Sequence, residues 1–287
     1  MEPIRVIDAH VHFWDPQALY YRWLGEAPAL RRAFLPADFE SLGAGSLDGV
    51  VFVEANCRPS QNVAEIDFVD TLAENEPRII GSVAFVDLCD ARSRRRSLDL
   101  LARRERVVGV RHNIQGRPKG FSLQTEFVRG AQEVGANDLT FDLCVTAEQL
   151  PEVAELVRRS PGTTFVLDHC GKPVIRSDAF EPWATDLARL AEHENVACKL
   201  SGLLSEARPE QRGEDGLFRY ARHVMLCFGA ARLMYGSDWP VVTTAGGEHA
   251  WRALVNRFIS DWTAPGRNAF FFDNAIRLYG LRQNAHR

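Results

Sequence analysis

Several common signatures of function are missing from this sequence of 287 residues. It has no Gly-x-Gly-x-x-Gly after a first strand and no Walker loop, which argues against a nucleotide-binding open sheet. The absence of a Gly-x-Ser-x-Gly elbow disfavours serine catalysis. No apolar run approaches the ~20 residues that a membrane span needs, so we expect no membrane partner.

Charge and cysteine usage narrow the choice further. The formal net charge is only −4, which gives no electrostatic reason to expect nucleic acid as a partner. The six cysteines are scattered without a Cys-x-x-Cys motif, so we expect free thiols in a reducing compartment. With no signal-peptide pattern at the N-terminus, we predict a cytoplasmic protein. Its oligomeric state stays open between a monomer and a homodimer.

Eight short apolar runs alternate with helical patterns along the chain. The runs have the continuous apolar character of strands that are buried on both faces. They cover residues 4–12, 49–55, 79–86, 107–113, 140–145, 164–169, 196–201 and 232–238. No linker or repeat divides the chain, so we predict one domain over residues 1–287 with a (β/α)8 barrel fold. A doubly wound open sheet is the alternative.

Helical patterns fill the intervals between these runs. They cover residues 60–75, 121–135, 181–193, 215–228 and 248–262. The clearest helix start follows the fifth run, where Thr146 and Gln149 can form a capping box.

A His-x-His pair, His10 and His12, lies at the end of the first run. Residues i and i+2 of a strand share a face, so the two imidazoles are expected to converge on one point. The alternative is a pair of solvated histidines near the terminus. Two later runs also end in polar groups followed by turn residues, at Asp168-His169 and at Asp238. Three such ends indicate one shared site.

In a parallel barrel, the carboxyl ends of all strands surround one opening where catalytic groups gather. The strand ends of this chain supply the following polar residues: Asp8, His10, His12, Glu54, Asn56, Asp87, Arg111, His112, Asn113, Asp142, Asp168, His169, Lys199, Ser201 and Asp238. Neighbouring strand residues face opposite sides. We therefore expect Arg111 rather than His112, and His169 rather than Asp168, to face the opening.

Such a set supports hydrolysis at a carbonyl group. Asp238 can act as general base on a water, while imidazoles, a bound cation or Arg111 stabilise the oxyanion. Three histidines and one aspartate (His10, His12, His169 and Asp238) can also hold a divalent metal such as zinc. The metal set is incomplete, because the fifth strand offers Asp142 and no histidine.

These motifs resemble the amidohydrolase superfamily, and within it the sugar-lactonase branch. The resemblance runs from the His-x-His segment at 7–15, through 109–115 and 141–145, to 274–281. Three motifs are specific to the branch: Asp-His-x-Gly-Lys-Pro, Cys-Lys-Leu-Ser-Gly and Gly-Ser-Asp-Trp-Pro. The resemblance implies a distorted (β/α)8 barrel that opens lactone rings of sugar acids.

The resemblance also implies roles for particular residues. Asp238 would be the base for water, with His10, His12 and His169 around the carbonyl. The candidate substrate contacts are Arg111, His112, Gln115, Trp14, Glu54, Asp142, Lys199, Ser201 and Trp239. Lactonases of this branch are similar in not requiring a metal, so we expect no obligatory cofactor, while zinc or another divalent cation can occupy the histidines.

The chain departs from the family pattern at one position, and two alternative functions stay open. Many relatives carry an amide where this chain has Glu54, so we expect an extra carboxylate at the rim, where it would affect substrate recognition or favour a cation. The first alternative function is a metal-dependent decarboxylase or amide hydrolase of the same superfamily. The second is a barrel that has lost catalysis and serves as a binding subunit.

Overall fold

The computed structural model describes residues 4–41 and 47–282. The predicted domain spans residues 1–287, of which residues 1–3, 42–46 and 283–287 lie outside the described part. Eight parallel strands lie side by side in chain order. They are β1 (Ile7–Val11), β2 (Gly49–Val53), β3 (Ile79–Phe85), β4 (Val107–Arg111), β5 (Thr140–Leu143), β6 (Phe165–Leu167), β7 (Val196–Leu200) and β8 (Leu233–Tyr235).

The first and last strands meet and bring the sheet close to a full barrel. The amide of His12 donates to the carbonyl of Trp239 at 2.8 Å, and the amide of Asp238 donates to the carbonyl of His10 at 3.0 Å. This confirms the predicted (β/α)8 barrel, and the open-sheet alternative is wrong. All eight strands lie within the predicted runs, and each ends one to three residues earlier than predicted, because the last residues of each run belong to the connection that follows the strand.

Helices surround the barrel between successive strands. They are α1 (Pro36–Ser41), α2 (Asn62–Asn75), α3 (Ala91–Leu101), α4 (Thr125–Ala136), α5 (Leu150–Arg159), α6 (Trp183–Ala191), α7 (Leu203–Glu206), α8 (Glu214–Phe228), α9 (Gly247–Phe258), α10 (Ala264–Asn268) and α11 (Asn274–Tyr279). The predicted capping box is confirmed, since the side chains of Thr146 and Gln149 each bond the other's backbone ahead of α5.

The packing has an inner and an outer part. The outer core fills the space between sheet and helices. The inner core consists of inward-facing strand residues such as Val51, Val83 and Met234, and it also contains Tyr279 and Leu281 from the C-terminal segment. That segment therefore closes the amino-terminal end of the barrel and leaves the opposite end for a site.

Two sequence expectations about the chain as a whole can be checked here. The six cysteines are free thiols, as predicted. Within residues 4–41 and 47–282, no helix has the length and apolar character that a bilayer crossing requires.

Candidate active site

A cavity of about 170 Å³ opens at the carboxyl ends of the strands. Its lining consists of His12, Trp23, Ala55, Asn56, Arg111, Asn113, Gln115, Cys144, His169, Lys172, Asp238 and Val241. Larger grooves of about 540 and 550 Å³ lie on the outside along α8, and none of the predicted site residues lines them. The chemistry-bearing residues therefore gather at the smaller cavity.

Three imidazoles surround one carboxylate oxygen in this cavity. Oδ1 of Asp238 lies 3.4 Å from Nε2 of His12, 3.7 Å from Nε2 of His10 and 3.8 Å from Nε2 of His169. The two members of the His-x-His pair converge as expected, with their Nε2 atoms 3.1 Å apart. We call His10, His12, His169 and Asp238 the His/Asp cluster.

A left-handed turn after β6 brings two neighbouring residues to the site. His169, Cys170, Gly171 and Lys172 all have positive φ, between 48° and 67°. Asp168 and His169 consequently both face the barrel interior, so the expectation that only His169 would do so is wrong. Strand alternation does not apply there, because β6 ends at Leu167 and the turn reverses the direction of the next side chain.

Backbone strain is concentrated around the cavity. Among described non-glycine residues with positive φ, Asn56, His169, Lys172 and Asp238 line it. Each such residue costs on the order of 1 kcal/mol or more, and such outliers cluster at functional sites. Gly202 adds a steric requirement: a Cβ there would lie 2.6 Å from Cβ of His169. Only glycine leaves room for His169, whose Nδ1 lies 2.9 Å from Oγ of Ser201.

Beneath the His/Asp cluster lies a buried set of alternating charges that we call the ion-pair layer: Glu54, Arg111, Asp142, Asp168 and Lys199. Arg111 donates to Glu54 Oε1 at 2.6 Å and to Asp168 Oδ2 at 3.1 Å. Lys199 lies 2.6 Å from Asp142 Oδ2 and 3.0 Å from Asp168 Oδ1. Arg111 faces inward, as expected. Glu54 does not lie at the rim, which corrects that expectation; it is fully buried against Arg111.

Burial controls the protonation of the His/Asp cluster. Removal from water lowers the pKa of His169 to about 4 and the pKa of His10 well below its ordinary value. For Asp238, burial alone would raise the pKa, but the neighbouring His169, His12 and His10 outweigh burial and hold it below the ordinary value. At neutral pH the site thus presents an ionised carboxylate beside neutral His10 and His169, an arrangement suited to general-base chemistry.

Several predicted substrate contacts lie away from the cavity. Burial lowers the pKa of His112 to about 4; its ring packs between Phe85 and Phe127, and its Nδ1 accepts the Leu88 amide at 3.1 Å. Asp142, Lys199 and Ser201 are fully buried below the opening.

The two predicted tryptophan contacts are also structural. Nε1 of Trp14 donates to the carbonyl of Arg32 at 2.9 Å and so fastens the long loop after β1. Trp239 packs against Phe39 with ring centroids 5.1 Å apart. Neither indole lines the cavity, which corrects both expectations. Gln115 and Arg111 are the predicted contacts that do line it.

Some residues of the site are absent from the predicted catalytic residues and substrate contacts. Lys172 donates to Gln115 Oε1 at 2.5 Å across the cavity, although it was visible as the lysine of Asp-His-x-Gly-Lys-Pro. Trp23 lines the cavity and donates to the carbonyl of Ala55 at 2.8 Å. Tyr279 reaches Asp142 from below at 2.8 Å. For Tyr279 the sequence carried no signal, because it lies 137 residues from its partner.

The His/Asp cluster has the donors and spacing of a divalent cation site. His10, His12 and Asp238 form one group whose ligand atoms lie close together. Bond lengths of about 2.0 Å in a tetrahedral zinc site imply ligand–ligand distances of about 3.3 Å, near the 3.1–3.7 Å found here. His10 also belongs to a second group, with Asp168 and His169. A third group, Asp87, Cys89 and His112, lies outside the cavity, and there the Nδ1 of His112 already accepts a backbone N–H.

Comparison with known proteins places this geometry in a family. A family model described as amidohydrolase matches residues 7–281. The chain is 34% identical to L-fucono-1,5-lactonase of Burkholderia multivorans, covering 97% of each chain. It is also 34% identical to the L-fucono-1,5-lactonase of Burkholderia ambifaria, covering 96% of this chain and 95% of the relative.

Solved structures agree with the sequence matches. An amidohydrolase from Burkholderia multivorans with bound zinc has a TM-score of 0.87 at 32% identity, covering 97% of this chain and 100% of that one. A probable 2-pyrone-4,6-dicarboxylic acid hydrolase from Acinetobacter baumannii shares the fold, with a TM-score of 0.77 at 16% identity and coverage of 96% and 100%. The chain therefore belongs to the amidohydrolase family.

Proposed function

We propose that this protein is a hydrolase that opens the ring of a sugar-acid lactone. The observation that carries the proposal is the ionised carboxylate of Asp238, enclosed by three imidazoles at the strand ends. Ester hydrolysis needs a base for water and donors for the oxyanion. Relatives that are 34% identical over nearly the whole chain bear the name L-fucono-1,5-lactonase, which supports the lactone as substrate class.

Asp238 is the proposed base that takes a proton from the attacking water. Its carboxylate is held by the backbone, since its amide donates to the carbonyl of His10 and its carbonyl accepts from Val242 at 2.9 Å. His12 bonds the carbonyl of Val53 through Nδ1 at 2.7 Å, so its Nε2 is unprotonated and is the acceptor for Nε2 of His10, 3.1 Å away. The carboxylate of Asp238 is therefore the acceptor for the proton of the water molecule.

Two groups can stabilise the negative charge that forms on the substrate carbonyl. Nδ1 of His169 lies 2.9 Å from the hydroxyl of Ser201, and we assign that hydroxyl as the donor, so that Nε2–H is a donor toward the cavity. Arg111 lines the same cavity, and three of its five N–H donors bond Glu54 and Asp168. The neutral imidazole and the fixed guanidinium form the proposed oxyanion site.

The lining favours a small hydroxylated substrate over a dicarboxylate. The cavity of about 170 Å³ is smaller than typical drug-sized sites, and Asn56, Asn113 and Gln115 offer amides that bond hydroxyl groups. Of the two cationic residues in the lining, Arg111 is neutralised by Glu54 and Asp168, whereas Lys172 bonds the uncharged amide of Gln115. A dicarboxylate ring would require more unpaired cationic charge.

A divalent cation fits His10, His12, His169 and Asp238, and when bound it would supply Lewis-acid activation of the carbonyl. We propose that hydrolysis does not require it. The support is the hydrogen-bond network below the His/Asp cluster, which satisfies both imidazoles of the His-x-His pair without a cation. The neighbouring amidohydrolase with bound zinc favours a metal-dependent amide hydrolase or decarboxylase as the second candidate.

The test is a panel of 1,4- and 1,5-sugar lactones together with 2-pyrone-4,6-dicarboxylate, followed by proton release with and without a chelator. We expect turnover of a sugar lactone that survives chelation. Activity that chelation abolishes and zinc restores would support the metal-dependent candidate. If no lactone is opened under either condition, the proposed function is wrong, and the loss-of-catalysis alternative becomes testable by ligand binding.

Cellular context belongs to the same proposal. A role in carbohydrate metabolism follows from the substrate class. The six free thiols support a cytoplasmic location. A monomer or homodimer is expected.

A further inference from the structure

A continuous chain of buried polar groups links the bottom of the barrel to the His/Asp cluster. It begins at Tyr279, whose hydroxyl lies 2.8 Å from Oδ2 of Asp142. The same carboxylate oxygen is 2.6 Å from Nζ of Lys199, and that ammonium lies 3.1 Å from Nδ1 of His10. Asp142, Lys199 and His10 are fully buried, so these groups are shielded from bulk solvent.

The direction of each hydrogen bond follows from the partners. Lys199 has three N–H donors and no acceptor, and its three neighbours are Asp142, Asp168 and the Nδ1 of His10. An ammonium that donates to Nδ1 requires the His10 proton to lie on Nε2. That Nε2–H then donates to Nε2 of His12, 3.1 Å away. His12 carries its own proton on Nδ1, which bonds the carbonyl of Val53.

A competing arrangement exists for His10. Its Nδ1 also lies 3.1 Å from Oδ1 of Asp168, to which a proton on Nδ1 would donate. In that tautomer the unprotonated Nε2 atoms of His10 and His12 would face each other and repel. Which tautomer prevails depends on whether the ammonium of Lys199 is held against Nδ1.

We propose that Tyr279 is a positioning residue that acts through Asp142 and Lys199 to select the Nε2–H tautomer of His10. The hydroxyl of Tyr279 donates to the Asp142 carboxylate and keeps that carboxylate anchoring Lys199. The anchored ammonium occupies Nδ1 of His10, which directs the Nε2 proton toward His12 and holds the His12 acceptor in place beneath the cavity. The C-terminal segment thereby orders the site from the opposite end of the barrel.

The electrostatics of Asp142 agree with this role. Burial raises its pKa to about 6, while Lys199 and the hydroxyl of Tyr279 act in the opposite direction and the neighbouring Asp168 adds to the rise. These groups come from β7, the C-terminal segment and the turn after β6, and Thr140 faces Asp142 from its own strand at 3.5 Å. Loss of the tyrosine hydroxyl would therefore favour a protonated Asp142 and release Lys199.

The chain offers a matched control in Tyr235. Its hydroxyl also lies 2.8 Å from a buried carboxylate, that of Glu248 in α9, and both tyrosines are buried. Tyr279→Phe and Tyr235→Phe thus delete the same group from the same kind of environment. The bond of Tyr279 leads to His10, whereas that of Tyr235 leads to a helix outside the barrel.

The kinetic test of this inference rests on the proposed function, because it measures lactone hydrolysis. A second test, which needs no substrate, is therefore added. With a sugar lactone, we expect Tyr279→Phe to lower kcat about fivefold to tenfold at pH 7 with KM within twofold, since one buried hydrogen bond is lost. The loss should be larger at pH 6 and smaller at pH 9. Tyr235→Phe should leave kcat and KM within twofold at every pH.

Nitrogen NMR of protein labelled in its histidine rings supplies the readout that needs no substrate. Protonated and unprotonated ring nitrogens resonate at separate positions, and the His10 signals are those lost in His10→Gln. We expect Nε2–H in the wild type and in Tyr235→Phe, and a shift toward Nδ1–H in Tyr279→Phe. The Asp142→Asn variant should reproduce this shift, and it carries the test if Tyr279→Phe does not fold.

Combining the two substitutions tests whether both act on one path. Tyr279→Phe in an Asp142→Asn background should cause no further loss of kcat, because the carboxylate it serves is gone. Additive losses, or His10 spectra that are identical in Tyr279→Phe and the wild type, would overturn the inference. A wild-type protein that opens no lactone would overturn the proposed function alone, since the NMR comparison would still decide the tautomer.

Discussion

Both levels of the barrel interior contain buried carboxylates, but the groups that compensate these carboxylates differ. In the ion-pair layer, each carboxylate contacts a cation, as Glu54 contacts Arg111 and Asp142 contacts Lys199. In the His/Asp cluster, the carboxylate of Asp238 faces imidazoles at 3.4–3.8 Å, of which His10 and His169 have lowered pKa values. The lower level thus fixes positions, whereas the upper level keeps an ionised group available for chemistry.

Glu54 and Asp238 both follow strands, but they belong to different levels and have different roles. The side chain and the backbone carbonyl of Glu54 both accept hydrogen bonds from the guanidinium of Arg111, so this carboxylate is not available for chemistry. Asp238 lies in a turn with φ of 62°, beyond the end of β8. The turn lifts the carboxylate above the paired layer and into the cavity.

Paired substitutions of two aspartates should give the largest contrast between the levels. Asp238→Asn is expected to lower kcat about 10³-fold, because the base is lost. The variant should still unfold cooperatively, because the substitution leaves no lysine or arginine without a partner. Asp168→Asn removes a partner from both Lys199 and Arg111 and should lower the free energy of unfolding by about 3–5 kcal/mol. Lactone hydrolysis and urea unfolding of both variants measure these effects.

Equal loss of activity in both variants at equal stability would contradict the division into two levels. Hydrolysis that persists in Asp238→Asn would remove Asp238 from the role of base.

A pair of histidines provides the next contrast. His169 and His112 are both buried with pKa values near 4, and each uses Nδ1 in a local hydrogen bond. Replacement by asparagine keeps an acceptor near the Nδ1 position and deletes Nε2. His169→Asn should lower kcat about 10²-fold, because the oxyanion loses a donor, whereas His112→Asn should change kcat and KM by less than twofold.

Steady-state kinetics on the same lactone measure both variants. A rise in KM for His112→Asn of tenfold or more would restore the sequence-based interpretation of His112 as a substrate contact.

The barrel and the identity of the His/Asp cluster were predictable from sequence, because both follow from strand periodicity and from polar residues at strand ends. The exceptions arise where a strand stops. Alternation predicted Arg111 inward and His112 outward correctly, since both lie in or next to β4. It failed for Asp168, because the left-handed turn after Leu167 replaces the strand.

Long-range contacts could not be predicted from the sequence, for a different reason. Nothing local to Lys199 indicates that its partners are Asp142 and Asp168, because these meet only when β5, β6 and β7 lie side by side. Tyr279 joins them from the chain's far end. Trp14 and Trp239 show the converse: aromatic residues beside catalytic motifs suggest ligand contact, whereas here they pack the loop after β1.

The smallest expected effect concerns Glu65 of α2, a neighbour of the ion-pair layer. Burial and the nearby Glu54 raise its pKa to about 8, against an ordinary value of 4.5. The folded state therefore binds more protons than the unfolded state between these values, so stability is fully present below pH 4.5 and is lost as the pH rises toward 8. Glu65→Gln keeps an acceptor for the Ala55 amide but cannot ionise.

We expect the free energy of unfolding of the wild type to fall between pH 6 and pH 8.5, with a Glu65 contribution on the order of 1 kcal/mol per pH unit. Glu65→Gln should flatten that slope and be the more stable protein at pH 8.5. Urea unfolding at the two pH values measures the difference. Parallel slopes would mean that Glu65 is ionised in the folded protein, and Arg111 would then serve Glu65 as well as Glu54, extending the ion-pair layer outward to α2.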